Sequence, residues 1–72
     1  MFGRITFDAT IMGGRACIRG MRMPVSMVVN LVANGMSNED IRREYPELEA
    51  EDIREALQYA SAIANMNSRK NV

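Results

Sequence analysis

The sequence predicts a mainly α domain: a three-helix, helix-turn-helix-like arrangement behind a short N-terminal β hairpin or strand extension. Three observations carry this expectation. A valine stripe at helical spacing follows Pro24. A capping signature at Ser37 opens a segment that a proline closes. The first 23 residues are broken by glycines and rich in strand-type side chains.

Within that first segment, Ile5 and Phe7 alternate with Thr6 and Asp8, so residues 4–8 read as a short half-buried strand. Gly13 and Gly14 interrupt the chain. Cys17 and Ile18 form a second extended piece, Gly20 turns it, and Arg22 and Met23 return as a third before Pro24, which pushes its predecessor into extended geometry. Residues 1–23 are therefore the β extension and residues 24–66 the helical part.

Pro24 suits the first turn of a helix, where its missing N–H costs nothing. Val25, Val28, Val29 and Val32 then follow i, i+3, i+4, i+7, while Ser26, Asn30 and Asn34 recur on the other side. The period overrides valine's strand preference, and Gly35 closes the helix in the left-handed conformation. Ser37 starts the next helix. Its hydroxyl can accept the N–H of Asp40, Asp40 can answer back, and Met36 can staple onto Ile41. Pro46 stops this helix at Tyr45. After a turn through Glu47 and Leu48, the third helix carries the stripe Ile53, Ala56, Leu57, Ala60 and Ala64, with Glu49, Glu51 and Asp52 at its positive end. Beyond Asn65 the pattern dissolves, and residues 67–72 read as a frayed tail.

Seventy-two residues describe one small domain. A core of this size supplies only about 3–5 kcal/mol, so self-association into a homodimer or higher oligomer is expected, with the open strand edge as one place for it. One cysteine, Cys17, excludes an internal disulfide, and the absence of histidine removes the usual zinc-finger ligand sets and the commonest general base. With apolar neighbours and no histidine partner, Cys17 reads as a small buried hydrophobe. The neighbouring acids Glu39/Asp40 and Glu51/Asp52 point about 100° apart on a helix and do not converge on one metal. No catalytic constellation, cofactor motif or metal site emerges. The N-terminus has no apolar core behind a basic start, and Met27 to Ala33 falls far short of the ~20 residues that span a bilayer, so a cytoplasmic protein without membrane contact is expected.

Nine Lys plus Arg balance nine Asp plus Glu, but unevenly. Residues 1–30 carry Arg4, Arg15, Arg19 and Arg22 against Asp8. Residues 31–60 carry eight acids against Arg42, Arg43 and Arg54, and Arg69 and Lys70 make the tail basic again. Such blocks orient partners even when the total is zero. Arg15, Arg19 and Arg22, set around two glycine turns, are candidates to grip nucleic-acid phosphate; the plainer reading ties them to acids of the helical part or of a second subunit. The third helix sits where a recognition helix would, yet its acidic first turn repels phosphate, so any DNA contact falls to the β extension. Glu51 and Asp52, in the acidic belt, are candidates for a basic partner surface. Six methionines after Met1 offer adaptable thioethers to a core or an interface.

The run Gly13-Gly14-Arg15-Ala16-Cys17-Ile18-Arg19-Gly20-Met21-Arg22-Met23-Pro24-Val25 resembles the signature of the domain of unknown function 433 family, G-G-[KR]-P-x-I-[RK]-G-T-R-[IV]-x-V. The resemblance extends to Ile5-Thr6 and Asp8 before it, and to Asn34-Gly35-Met36-Ser37, Glu39-Asp40-Ile41, Tyr45-Pro46, Leu48 and Glu51 through Leu57 after it, covering residues 4–64. Ala16 replaces the usual proline, Met21 the threonine, Met23 an aliphatic residue, and Glu49 stands where a helix-capping Thr or Ser is common. The resemblance implies a small prokaryotic helix-turn-helix-like protein, the antitoxin of a VapBC-like toxin–antitoxin pair whose partner resembles a PIN-domain ribonuclease. On that reading the last helix and the basic tail, with Met66, Arg69 and Lys70, meet the toxin, and Arg15, Arg19 and Arg22 contact operator DNA. A stand-alone transcription regulator binding DNA as a dimer is the alternative.

Overall fold

A computed structural model describes residues 2–69, with side chains through Met66. Strand β1 (Ile5–Thr6) pairs antiparallel with β2 (Cys17–Ile18), Ile5 opposite Ile18 and Thr6 opposite Cys17. A 3-10 turn at Met12–Gly14 lies between them. Helices α1 (Val25–Ala33), α2 (Asn38–Glu44) and α3 (Ala50–Arg69) follow. This is the three-helix domain with a β extension that the sequence predicts.

Local chemistry explains the boundaries. After β2 the chain reverses at Arg19 and Gly20, with φ of 46° and 71°, and the Met21 N–H donates to the Ile18 carbonyl at 2.8 Å. Two positive φ angles in the centre mark a type I′ hairpin turn, whose twist matches that of the strands. The expected third strand at Arg22 and Met23 reduces to an isolated bridge between Cys17 and Pro24, with Ile18 N–H donating to the Met23 carbonyl at 3.0 Å. The Val25 N–H completes the bridge by donating to the Ala16 carbonyl at 2.9 Å, and the chain enters α1 at that same residue.

Helix α1 ends in a Schellman motif: Gly35, at φ 90°, donates to the Val32 carbonyl and Met36 to that of Leu31. Ser37 caps α2 as expected, its Oγ accepting the Asp40 N–H at 3.1 Å, and Met36 packs against the core that contains Ile41. The Tyr45–Leu48 turn follows, with Leu48 N–H bonded to the Tyr45 carbonyl.

The core forms where all elements meet the first two turns of α3. Ile5 and Ile18 come from the hairpin, Val25 and Val28 from α1, Ile41 from α2, Leu48 from the turn, and Ile53 and Ala56 from α3. Burial then fades along α3: Ala60 is half-buried and Ala64, expected in the stripe, is exposed. A 20-residue helix is about 30 Å long. The nine-residue α1 and seven-residue α2 cover only its first half. The helix also continues to Arg69, three residues into the segment expected to fray; residues 70–72 lie outside the described part.

Candidate functional site

Two features stand out: an ion cluster where the hairpin meets the start of α3, and an apolar face along the far half of α3. The cluster begins with a cap. Glu49 precedes α3 and lacks the hydroxyl that caps α2, so the cap is made from inside the helix: Asp52 Oδ2 accepts the Glu49 N–H at 2.8 Å. This is the reach-back half of a capping box. The Glu49 side chain is thereby released to accept Arg4 Nη1 at 2.6 Å.

Asp52 is 0% exposed. Its Oδ1 accepts Arg19 Nε at 3.0 Å and Arg4 Nη1 at 2.9 Å, while Oδ2 accepts Arg19 Nη2 at 2.9 Å. Burial alone would push this carboxyl up. The Arg19 guanidinium, the Glu49 N–H and Arg4 outweigh it and hold the pKa below the ordinary aspartate value. In return, hydrogen bonds donated to Glu49 and Asp52 raise the pKa of Arg4, and those donated to Asp52 raise that of Arg19. Two further donors at the seam are used: Arg19 Nη2 also reaches the Glu47 carbonyl at 2.7 Å, and the Arg4 N–H reaches Glu55 Oε1 at 2.6 Å. Thr6 Oγ1 accepts the Gly20 N–H at 2.7 Å, locking the turn that presents Arg19. Among the described residues no buried side-chain polar atom is left unpaired.

These placements correct two expectations. Asp52 does not face a partner; it is enclosed by the protein's own hairpin because two arginines neutralise it there. Arg19 is not an open phosphate ligand, since its Nε–Nη2 edge is closed on Asp52 and Glu47. The plainer reading, arginines tying the β extension to acids of the helical part, holds for Arg19. Arg15 and Arg22 are exposed and make no ion pair with the described residues. Glu51 is exposed and pairs with Arg54 at 3.3 Å. Met66 is 64% exposed, the backbone of α3 ends at Arg69, and Lys70 falls outside the described residues. Sequence reasoning missed Arg4, Glu49 and Glu55 as members of the cluster. The opposite signs of the first and middle segments hinted at it, but no local pattern pairs Arg4 with an acid 48 residues away.

The second feature is apolar. A groove of about 470 Å³ runs between α1 and α3, lined by Val25, Val29, Ala60 and Ile63 together with Arg15. Phe7 and Met66 are more than half exposed and Ile63 is 40% exposed. Tyr59 anchors the patch to the N-terminus, meeting Phe2 edge-on at a centroid distance of 5.5 Å and Phe7 at 6.1 Å. Chemistry-bearing groups are sparse elsewhere. Cys17 is buried, and no group of three or more acids or cysteines among the described residues is arranged to hold a metal ion. No described helix is long and apolar enough to cross a membrane.

Residues 5–60 match the family described as "Protein of unknown function (DUF433)". Protein y4eO of Sinorhizobium fredii is 43% identical over 58 residues, which are 81% of this chain and 26% of that protein. The chain thus spans about a quarter of that relative's length. A crystal structure of a DUF433 member from Anabaena variabilis superposes with a TM-score of 0.78 at 30% identity, covering 93% of this chain and 66% of the other.

Proposed function

We propose that this chain, which belongs to the DUF433 family, works in the cytoplasm by binding rather than by chemistry, as the antitoxin that holds a PIN-like ribonuclease inactive. The observation that carries a binding role is the contrast between its two surfaces. The acids at the start of α3 that face the hairpin are consumed internally by Arg4 and Arg19, whereas Phe7, Ile63 and Met66 are left in solvent. Contiguous apolar surface of this kind marks a protein-binding face. The end of α3, with Met66 and Arg69, and Lys70 next in the sequence, is the part that reaches the nuclease. A cation there suits the acid-lined centre of a metal-dependent nuclease. Glu51, in solvent at the other end of α3, is a second point of contact.

The test is co-expression with a PIN-domain ribonuclease, followed by an RNA-cleavage assay of the purified complex. Cleavage suppressed by the full chain and restored on deleting residues 67–72 supports the proposal. Unsuppressed cleavage with the intact chain ends it, and suppression by the deleted chain removes the tail from the mechanism.

A second reading has its own observation. Arg15 and Arg22 are exposed and unpaired among the described residues, so they can contact DNA phosphate as parts of a stand-alone transcription regulator.

A further inference from the structure

We infer that Asn34 is a site of covalent self-modification, losing its side-chain amide through a cyclic imide formed with the Gly35 nitrogen, and that the cap closing α1 sets the rate. This chemistry is internal to the chain and does not depend on any partner that the chain binds.

The sequence supplies the reactive pair. Asparagine is thermolabile because the next main-chain nitrogen can close a ring onto its side-chain carbonyl carbon. The Gly35 nitrogen bonds to Cγ of Asn34, the Cγ–Nδ2 bond breaks, and the Gly35 amide proton departs with the side-chain nitrogen as ammonia. Water then opens the imide at either carbonyl, leaving aspartate or isoaspartate. A side chain on the following residue crowds the attacking nitrogen. Asn30, Asn38 and Asn65 precede Leu31, Glu39 and Met66, whereas Asn34 alone among the asparagines precedes glycine. Nothing lies within 4 Å of where a Gly35 Cβ would stand, and Asn34 is exposed.

The fold holds the pair apart. Asn34 Nδ2 donates to the Asn30 carbonyl at 2.9 Å, and the Gly35 N–H donates to the Val32 carbonyl at 3.0 Å, so the leaving group and the nucleophile are both engaged. At Asn34 ψ is 9°, which eclipses the Gly35 nitrogen with the Asn34 nitrogen about the Cα–C bond. Ring closure needs it to eclipse Cβ instead. Rotating ψ that far breaks the closing bonds of the cap, from Gly35 to Val32 and from Met36 to Leu31. Reaction therefore waits for the end of α1 to open, a local event that needs no global unfolding.

The product cannot rebuild the cap. A carboxylate at position 34 has no N–H for the Asn30 carbonyl and places negative charge at the negative end of α1. Isoaspartate also lengthens the main chain by a methylene between Val32 and Gly35, which takes the closing bonds out of register. Met36, packed against the core, and Ser37, which caps α2, follow at once. The junction between α1 and α2 is the point at which this protein ages.

Peptide mapping by mass spectrometry tests this on the purified full chain, incubated at neutral pH in water enriched in heavy oxygen. Asn34 is expected to take up the label and to appear as separable aspartate and isoaspartate forms, with Asn30 and Asn38 unchanged. In urea the conversion accelerates. The ratio of the urea rate to the native rate matches the hydrogen-exchange protection of the Gly35 amide, since both report how often the cap is open. Met36→Ala removes the apolar contact that accompanies this kind of cap and speeds the native conversion; the comparison in urea needs no variant. A native chain whose Asn34 stays intact for longer than that protection allows overturns the inference. So does conversion as fast in the native chain as in urea, conversion at Asn30 or Asn38 ahead of Asn34, or aspartate formed without isoaspartate, the mark of direct hydrolysis.

Discussion

Arg19 grips Asp52 side-on across 33 residues of chain, with Nε 3.0 Å from Oδ1 and Nη2 2.9 Å from Oδ2, and the carboxylate it holds is fully buried. Two parallel N–H···O bonds fix orientation as well as distance. The same carboxylate caps α3 through the Glu49 N–H. One side chain therefore starts the longest helix and docks the hairpin onto it.

Asp52→Ala is expected to be among the most damaging single substitutions. It leaves Arg4 and Arg19 facing a void and removes the cap, and breaking a buried ion pair from one side costs about 3 kcal/mol. A core of this size has about 3–5 kcal/mol in hand, so the variant is expected to keep only about 0–2 kcal/mol and to be measurably unfolded in mild denaturant. Urea denaturation followed by circular dichroism measures this; a loss below about 1 kcal/mol would show that the cluster is incidental.

Stability should be level from neutral pH to about pH 5 and fall as the pH drops below about 4. Asp52 and Glu49 are held below their ordinary values of 3.8 and 4.5, Asp52 against its own burial by Arg19 and the Glu49 N–H, and Glu49 mainly by its hydrogen bond from Arg4. A carboxyl depressed in the folded state stabilises it above the unfolded pKa and loses that contribution as pH falls through the folded one. Melting temperature against pH should show this acid limb, and Arg4→Met should flatten it. A decline already present between pH 7 and 5 would assign the dependence to other groups.

Gly20→Ala should cost about 1 kcal/mol through backbone strain alone. The glycine sits at φ 71° with nothing within 4 Å of where a Cβ would stand, so no clash contributes. Gly20→Asn should be nearly neutral, because asparagine tolerates the left-handed region. Equal destabilisation by both variants would contradict this account of the turn.

If the chain binds DNA, Arg22→Ala should lower the slope of log affinity against log salt by about 1 without unfolding the protein. Arg19→Ala should instead loosen the hairpin, visible as faster amide exchange in β1 and β2. A salt slope unchanged by Arg22→Ala, measured by fluorescence anisotropy on a labelled duplex, would remove that residue from the DNA-binding reading.

The residues themselves show how far sequence alone reaches. Pro24, Gly35, Ser37 and Pro46 act on their immediate neighbours through fixed φ, positive φ, a short hydroxyl or a missing N–H, so the bounds of α1 and α2 were legible from them. The valine period and the family signature were legible for the same reason, as short-range patterns written along the chain. Tertiary structure decided what no local pattern contains. It buried Asp52, because two arginines from a distant hairpin converge on it and offset the cost of removing its charge from water. It closed Arg19 on Asp52 while leaving Arg15 and Arg22 without an ion pair among the described residues, though all three stand within eight residues of one another. It also brought α3 out of the core beyond Ala60, because helix length follows from local sequence whereas burial depends on how much neighbouring surface exists to cover it.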